Sequence, residues 1–269
     1  MFGWLSKEKR HVRADWSLAA VPEGLVVQVV GDVHGCLDEL EQLLPKLNNS
    51  TAMAKSRVLI FLGDLIDRGP KSRQVIERVL REREARSESG EVRLVRGNHE
   101  QLMLDFMAKP EDNGGRWLRN GGLETLRSYG VFVDPAISGR KLKFCRDELL
   151  QKLPPSHLTL LQTSQLACSF GDYFFCHAGV DPDIPLESQT EKALLLTRNT
   201  KALDNQTLEK LVVHGHTPVR EAASWVGHIN MDTGAYLTGR LTGLRLSGSS
   251  REFFNNKDGL LVENRRSPK

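Results

Sequence analysis

Three apolar segments of the chain each run directly into a short polar motif that contains glycine. Residues 25–30, 57–62 and 92–95 have the length and composition of buried β-strands. The motifs that follow are Gly31-Asp32-Val33-His34-Gly35, Gly63-Asp64-Leu65-Ile66-Asp67-Arg68-Gly69 and Arg96-Gly97-Asn98-His99-Glu100. Ligand sites of α/β proteins lie at the carboxyl ends of strands. The pattern therefore predicts an α/β fold with one site at these strand ends.

The side chains at the strand ends are of the types that bind metal ions. Asp32 and His34 are two residues apart, so both point to the same side of an extended backbone. Asp64 has two oxygens that can bridge two cations, and Asn98 offers an amide oxygen. Nitrogen and oxygen ligands without a thiolate suit Mn²⁺, Fe or Zn²⁺. Two later strands end in the remaining candidates, His177 and one of His214 and His216.

Other residues of these motifs suit phosphate chemistry. Arg68 and the downstream Arg198 are planar, always charged groups that bind phosphate oxygens with two hydrogen bonds. His99 is a candidate proton donor, and two ions that share Asp64 would clamp a phosphoryl group. The alternative for Asp67 and Arg68 is a surface ion pair, which the glycines on both sides make the weaker interpretation.

Composition excludes several other classes of protein. Hydrophobic residues make up 39% of the 269 residues, charged residues 26%, and the net charge is +3. Both signs of charge are mixed along the chain, so no nucleic-acid partner is expected. The four cysteines lack C-x-x-C spacing and are expected to be reduced thiols of a cytoplasmic protein. No apolar run reaches the ~18 residues of a membrane span, and none is expected.

We expect one domain between two less ordered ends. The predicted boundaries are a lead-in at 1–22, a single catalytic domain at 23–250 and a tail at 251–269. A frayed or packed terminus is favoured here over a contact with a membrane or partner through Phe2, Trp4 and Leu5.

The segment 110–165 is predicted to be a helical insertion or cap. Its first part, 110–122, is rich in glycine and predicts a loop with one helical turn, in which Trp117 either overhangs a cleft or pins the loop. The second part is mainly helical, and His157 in it is expected to be an ordinary surface histidine.

The three motifs resemble, in order and spacing, the signature blocks of the phosphoprotein phosphatase (PPP) family of calcineurin-like metallophosphoesterases. The resemblance runs from about residue 25 to residue 246. It is greatest to small bacterial and phage serine/threonine phosphatases such as lambda phosphatase, which have similar segments to 117–122, 215–218 and 232–235. The resemblance implies a four-layer αββα sandwich with a pair of divalent ions, of which Mn²⁺ is preferred.

The resemblance also implies a role for each motif residue. His99 would be the general acid that protonates the leaving group, and Asp67 would orient it. Arg68, Arg198 and Asn98 would bind the phosphate. The implied metal ligands are Asp32, His34 and Asp64 for one ion and Asp64, Asn98, His177 and His216 for the other, with His214 behind them.

The function implied by the resemblance is a serine/threonine protein phosphatase, with phosphotyrosine as a further substrate. It would hydrolyse phosphate esters of a phosphorylated protein or peptide by direct attack of a dimetal-bound hydroxide. The alternative is a hydrolase of dinucleoside polyphosphates, of the symmetrical diadenosine tetraphosphatase type, or of small nucleotides. Those relatives typically lack the acid of Asp67 and have Asp in place of Glu100, which favours the phosphatase. An inactive scaffold is disfavoured because no motif residue is lost.

Overall fold

Two mixed β-sheets form the centre of the protein, in a computed structural model that describes residues 16–49, 55–88, 90–133, 140–203 and 208–261. The strands are β1 (Leu25–Val30), β2 (Ser56–Phe61), β3 (Gly90–Leu94), β4 (Ala167–Phe170), β5 (Tyr173–Cys176), β6 (Leu211–His214), β7 (Ala223–Ser224), β8 (His228–Asn230), β9 (Thr242–Ser247), β10 (Ser250–Asn255) and β11 (Gly259–Leu261). The sheet orders are β11-β10-β9-β1-β2-β3 and β4-β5-β6-β8-β7.

The strands that precede the polar motifs run parallel within each sheet. In the first sheet β1 pairs with β2 and β2 with β3, and Val30, Phe61 and Leu94 lie side by side at the carboxyl ends. In the second sheet β5, β6 and β8 are parallel in the same way. The three predicted strands are confirmed as β1, β2 and β3, with ends that differ by at most two residues. Because of this register, the motif loops that follow these strands lie next to one another at the carboxyl edge of the sheet.

The two sheets pack face to face over a dry core. Val27 and Val29 of β1 and Ile60 of β2 share this core with Phe175 and Val213 of the second sheet, and all five are fully buried. The sheets are thereby buried on both faces, which is why their strands read as continuous apolar runs and not as alternating ones.

Helices cover the outer faces of both sheets. They are α1 (Leu37–Asn48), α2 (Ser72–Ala85), α3 (Asn98–Ala108), α4 (Pro110–Trp117), α5 (Leu123–Ser128), α6 (Arg140–Lys152), α7 (Pro155–Gln162), α8 (Glu191–Leu196) and α9 (Ala235–Thr238). Leu40, Ile76 and Phe106 pack with Phe61 outside the first sheet. On the far side, Leu194 of α8 packs on Phe174. The expected α/β fold with αββα layers is thus present. Within the described residues, no helix combines the length and apolar character needed to span a membrane.

The prediction of a loop over 110–122 was wrong. Residues 110–117 form α4, and Trp117 is fully buried against Phe106, with ring centroids 4.8 Å apart. The glycines that suggested a loop serve close packing, since a Cβ at Gly114 would lie 3.0 Å from Leu142 and 3.1 Å from Phe106. Trp117 therefore does not overhang a cleft.

Two further expectations are corrected by the core. His157 is buried, at 3% exposure, and its Nδ1 lies 2.8 Å from the hydroxyl of Tyr129. Helices α6 and α7 share one apolar cluster with the first sheet, so this part of 110–165 belongs to the outer helical layer and is not a separate cap.

The predicted tail at 251–269 is also corrected. Its first residues form β10 and β11, which pair antiparallel to extend the first sheet beyond β9. Phe253 and Phe254 of β10 are buried on opposite faces of this extension, which their adjacent positions allow. The N-terminal residues Phe2, Trp4 and Leu5 and residues 262–269 lie outside the described residues.

Replacing Tyr129 by Phe tests the buried Tyr129–His157 pair. Burial lowers the pKa of His157, so the ring is neutral and shares one hydrogen bond with the hydroxyl through Nδ1. Tyr129→Phe leaves Nδ1 buried without its partner, and the free energy of unfolding should fall by about 1 kcal/mol. Urea unfolding measures this. Tyr236→Phe is the matched control, because no hydrogen bond of its hydroxyl occurs among the described residues; equal stability of both variants would contradict the prediction.

Candidate metal and phosphate site

The loops after five strands bring the predicted site residues together. Asp32 and His34 follow β1, Asp64 follows β2, and Asn98 begins α3 after β3. From the second sheet, His177 follows β5 and His216 follows β6. Two groups of ligand atoms lie within 4.8 Å of one another: His34, Asp64 and His99 form one, and Asp64, His177 and His216 form the other. Asp64 belongs to both groups.

Glu100 ties the second and third motif loops together. Its carboxylate accepts hydrogen bonds from the backbone N–H groups of Asp64 at 2.8 Å, Leu65 at 2.7 Å and Gly97 at 2.8 Å. Burial, and then the nearby charge of Asp64, raise the pKa of Glu100 to about 7. Sequence reasoning used Glu100 only as a mark of the third motif and missed this structural role, although a glutamate three residues after a helix N-cap is a capping signal.

The backbone is left-handed at five non-glycine residues, and all five are candidate site residues. The φ angles of His34, Asp64, Asp67, Arg68 and His216 lie between 46° and 71°. This region costs a residue with a side chain about 1–3 kcal/mol and persists only where the surroundings enforce it. Positive φ at non-glycine residues is thus confined, among the described residues, to this site.

Hydrogen bonds fix the orientation of two histidines. Nδ1 of His34 lies 2.8 Å from the backbone oxygen of Ile66, and Nδ1 of His177 lies 2.8 Å from that of Leu62. Because a carbonyl only accepts, each Nδ1 carries the proton and each Nε2 is left with a lone pair. Arg68 confirms this for His34, since its Nη1 donates to Nε2 at 2.9 Å. Neutral imidazoles in this orientation are metal ligands.

The lone pairs of these histidines face other acceptors. Nε2 of His34 lies 3.4 Å from Oδ2 of Asp64, and Nε2 of His177 lies 3.4 Å from Oδ1 of the same carboxylate. Oδ1 of Asn98 is 2.9 Å from the same Nε2 of His177. Nε2 of His216 is buried and has no hydrogen-bond partner among the described residues. Acceptors that converge without a proton between them repel one another, so the arrangement fits divalent cations.

Asp32 lies beside the two groups and not within them. Its Oδ2 accepts a hydrogen bond from the backbone N–H of His216 at 3.0 Å. Burial, and then the charges of Asp232 and Asp64, raise the pKa of Asp32 well above its usual range. The glycine at 215 permits this approach, because a Cβ there would overlap Oδ1 of Asp32. Asp232, which sequence reasoning did not single out, adds a second buried carboxylate next to the expected ligand.

His99 and Asp67 form a buried pair. Nδ1 of His99 lies 2.7 Å from Oδ2 of Asp67, and both side chains are at most 1% exposed. Burial lowers the pKa of His99, but the charge of Asp64 and the hydrogen bond to Asp67 outweigh it and hold that pKa above its ordinary value. Nε2 of His99 is buried without a partner among the described residues, in the group with His34 and Asp64. The ring can therefore hold a proton that points into the site.

Trp117 and Thr125 hold Asp67 in place. Nε1 of Trp117 donates to Oδ2 of Asp67 at 2.9 Å, and the hydroxyl of Thr125 donates to Oδ1 at 2.6 Å. The backbone N–H of Arg68 donates to the oxygen of Gly121 at 3.2 Å, and a Cβ on Gly121 would collide with Arg68. The segment from 117 to 125 thus positions the Asp67–Arg68 turn, a role that the sequence interpretation of Trp117 missed.

The two predicted phosphate-binding arginines differ in their surroundings. Arg68 stacks on the ring of Tyr236, 4.6 Å from its centroid. Arg198 is exposed, and its charge, after burial and the charge of His177, is among the influences that lower the pKa of His216 to about 3. Both cations are therefore within electrostatic reach of the ligand groups.

His214 lies behind the candidate ligands. It is fully buried, its Nε2 is 2.8 Å from Nδ1 of His228, and the ring of Trp225 stacks on His228 at 4.7 Å. Of the two histidines that the sequence left open, His216 belongs to a ligand group and His214 supports the loop.

Replacing His216 by Ala tests the second ligand group. The substitution removes one ligand atom, so the affinity for Mn²⁺ should fall by more than the ~10–100-fold that loss of an outer-shell partner costs. Equilibrium dialysis followed by elemental analysis measures the bound metal. The control is His157→Gln, which alters a buried histidine outside both groups; retention of wild-type Mn²⁺ content by His216→Ala would contradict the assignment.

Two proteins of known sequence are similar to this chain over most of its length. The bis(5'-nucleosyl)-tetraphosphatase PrpE (asymmetrical) of Bacillus subtilis strain 168 is 28% identical over 242 residues, which cover 82% of this chain and 91% of that protein. The protein of the same name in Bacillus thuringiensis strain Al Hakam is 31% identical over 238 residues, which cover 81% and 89%.

Solved structures show the same fold. A mutant of a cold-active protein tyrosine phosphatase has a TM-score of 0.59 at 16% identity and covers 92% of this chain and 84% of that one. A protein serine/threonine phosphatase from Saccharomyces cerevisiae has a TM-score of 0.56 at 15% identity, with 92% and 85% covered. Residues 25–239 match the calcineurin-like phosphoesterase family. The chain belongs to this family of metal-dependent phosphoesterases.

Proposed function

We propose that the protein is a metal-dependent hydrolase of dinucleoside polyphosphates. The observation that carries the proposal is the match to tetraphosphatases along more than four-fifths of the chain and about nine-tenths of those relatives. This reverses the order of the two hypotheses drawn from the sequence, which placed the protein phosphatase first.

Unpaired cations near the ligand groups support a polyanionic substrate. Arg116 and Lys192 line one cavity together with Asn98. The charge of Arg198 contributes to the lowered pKa of His216. None of these three cations has an ion-pair partner in the part of the chain that the structure describes. A dinucleoside tetraphosphate carries several negative charges in a row, which one phosphoserine does not. Cations spread along the approach to the ligand groups are suited to such a chain of phosphates.

The ligand groups would hold two divalent ions, for which Mn²⁺ remains our expectation. Asp32, His34, Asp64, Asn98, His177 and His216 are the proposed ligands. When bound, the ions neutralise phosphate charge and make water a stronger nucleophile. Arg68 and Arg198 bind phosphoryl oxygens with planar, paired donors, and the stacking of Arg68 on Tyr236 keeps its guanidinium aimed at the site.

His99 donates a proton to the leaving group in this proposal. The carboxylate of Asp67 fixes the ring through Nδ1, so the proton that is transferred resides on Nε2, which points into the site. Trp117 and Thr125 act through Asp67 and are positioning residues.

A phosphomonoesterase is the second candidate, and the His99–Asp67 pair favours it. An alkoxide leaving group from phosphoserine is a strong base that needs a proton, whereas a nucleotide leaving an anhydride is a weak base. A buried pair at 2.7 Å that keeps a histidine protonated suits the former reaction more than the latter.

Turnover on two substrates side by side tests the proposal. We expect the Mn²⁺-loaded protein to have a higher kcat/KM for diadenosine tetraphosphate than for a phosphoserine peptide. Chromatography of the products shows where the chain is cut: AMP with ATP for asymmetrical cleavage, two ADP for symmetrical cleavage. Asp64→Ala is the control for contaminating activity, because it removes the residue shared by both ligand groups. Faster turnover of the peptide would overturn the proposal in favour of the second candidate.

Replacing His99 by Asn tests its role as proton donor. The loss of kcat should be about 10²–10⁴-fold for phenyl phosphate, whose leaving group is basic. It should be smaller for p-nitrophenyl phosphate and for diadenosine tetraphosphate, whose leaving groups need less help. Steady-state kinetics on the three substrates and bound Mn²⁺ are measured together. An equal loss on all three substrates at unchanged metal content would show that His99 does not donate the proton.

A further inference from the structure

A cavity opens directly beside the ligand groups, between α3 and α8. Its volume is about 370 Å³, and Asn98 forms its inner end. Oδ1 of Asn98 is 2.9 Å from Nε2 of His177, so a residue of the cavity lining contacts the second ligand group. A volume of this size lies in the range of ~300–1,000 Å³ that small organic ligands occupy. The proposed function uses two cations and Asn98 of this cavity and assigns no role to the rest of its lining.

One side of the cavity is apolar. Leu102 of α3 and Leu195 of α8 are buried at 6% and 4% exposure, and Leu196 next to them is 40% exposed. Leu196 thus leaves apolar surface of the cavity lining open to solvent, where a ligand ring can cover it. Leucine side chains offer a flat apolar contact to a ring system.

The cavity lining also carries fixed hydrogen-bonding groups, Gln101 and Asp105 of α3. Gln101 accepts a hydrogen bond from Nη1 of Arg96 at 3.0 Å and donates from Nε2 to Oδ1 of Asp105 at 2.8 Å. These bonds hold both side chains in one orientation. Oδ2 of Asp105 has no partner in the described parts of the chain, so it is available to accept a hydrogen bond from a ligand amino group.

Two cations complete the cavity. Arg116 comes from α4 and Lys192 from α8, and neither has an ion-pair partner among residues 16–49, 55–88, 90–133, 140–203 and 208–261. A phosphate that leads from the cavity to Asn98 would lie within reach of these charges. The cavity lining thus contains apolar side chains, a hydrogen-bond acceptor and two cations, next to the second ligand group.

From this combination we infer that the cavity binds one nucleoside unit of the substrate, with its base on the leucines and its first phosphates between Arg116 and Lys192. The inference rests on the proposed function and names the part of that substrate which this chain recognises. A purine with an exocyclic amino group can donate to Asp105, whereas a purine with a carbonyl at that position cannot. The cavity therefore prefers adenine over hypoxanthine.

Inhibition by nucleotides tests this inference without dinucleotide turnover. In the Mn²⁺-loaded protein, AMP should inhibit hydrolysis of p-nitrophenyl phosphate at least ~10-fold more strongly than inorganic phosphate, since a buried ring contributes more than about 1.4 kcal/mol. In Leu196→Glu the two inhibition constants should become nearly equal. Leu260→Glu is the matched control: Leu260 is also exposed, but it lies on the edge strand β11, and its variant should keep the wild-type ratio.

Asp105→Leu provides a second variant on the polar side. Wild-type protein should bind AMP more tightly than IMP, and the variant should lose this preference, as measured by calorimetry with the metal-loaded protein. Equal inhibition by AMP and phosphate in the wild type would overturn the inference. An unchanged ratio in Leu196→Glu with a raised KM for a phosphoserine peptide would also overturn it, because a peptide would then occupy the cavity.

These outcomes separate the inference from the proposed function. If the wild type hydrolyses diadenosine tetraphosphate while AMP and phosphate inhibit equally, the proposed function stands and the cavity is not the nucleoside site. If dinucleotides are not hydrolysed while inhibition by AMP depends on Leu196, the proposed function fails and the cavity remains a nucleoside site.

Discussion

The mutual repulsion of acceptor atoms around Asp64 is the constraint on which the site depends. Two imidazole lone pairs face its carboxylate at 3.4 Å, and the amide oxygen of Asn98 lies 2.9 Å from one of them. A free chain would move these groups apart. They stay together because each is attached to the end of a strand whose neighbours are held by parallel pairing and by two buried faces. The two sheets therefore hold the acceptor atoms close together in spite of their repulsion, and a bound cation would remove that repulsion.

Hydrogen bonds within and between the motif loops fix the positions of the site residues at the strand ends. Glu100 gathers three backbone N–H groups from two loops, and Asp67 collects donors from His99, Trp117 and Thr125. The helix that carries Trp117 packs on α3, which begins at Asn98, so the proposed proton donor His99 and its partner Asp67 rest on one apolar cluster. The position of the His99–Asp67 pair is thereby linked to the core.

The sequence predicted the strands and the residues at their ends because both signals are local. A continuous apolar run such as Leu25–Val30 indicates a strand buried on two faces, and Asp32 and His34 follow at a fixed offset. The helix 110–117 and the burial of Trp117 and His157 were missed because they depend on contacts far along the chain. Gly114 looks like a helix breaker until Leu142 and Phe106 are seen against it. The role of Glu100 was hidden for the same reason, since two of its three donors belong to the preceding loop.

The left-handed backbone at His34, Asp64, Asp67, Arg68 and His216 has a consequence for how this chain can change. Glycine adopts such angles without strain, so glycine at any of these positions would relax the backbone. Under the proposed function, each of these side chains holds a metal ion, binds phosphate or positions the proton donor. Selection for thermal tolerance alone would therefore favour relief of backbone strain at positions that the reaction uses. Heat resistance and turnover have to be selected together in this protein.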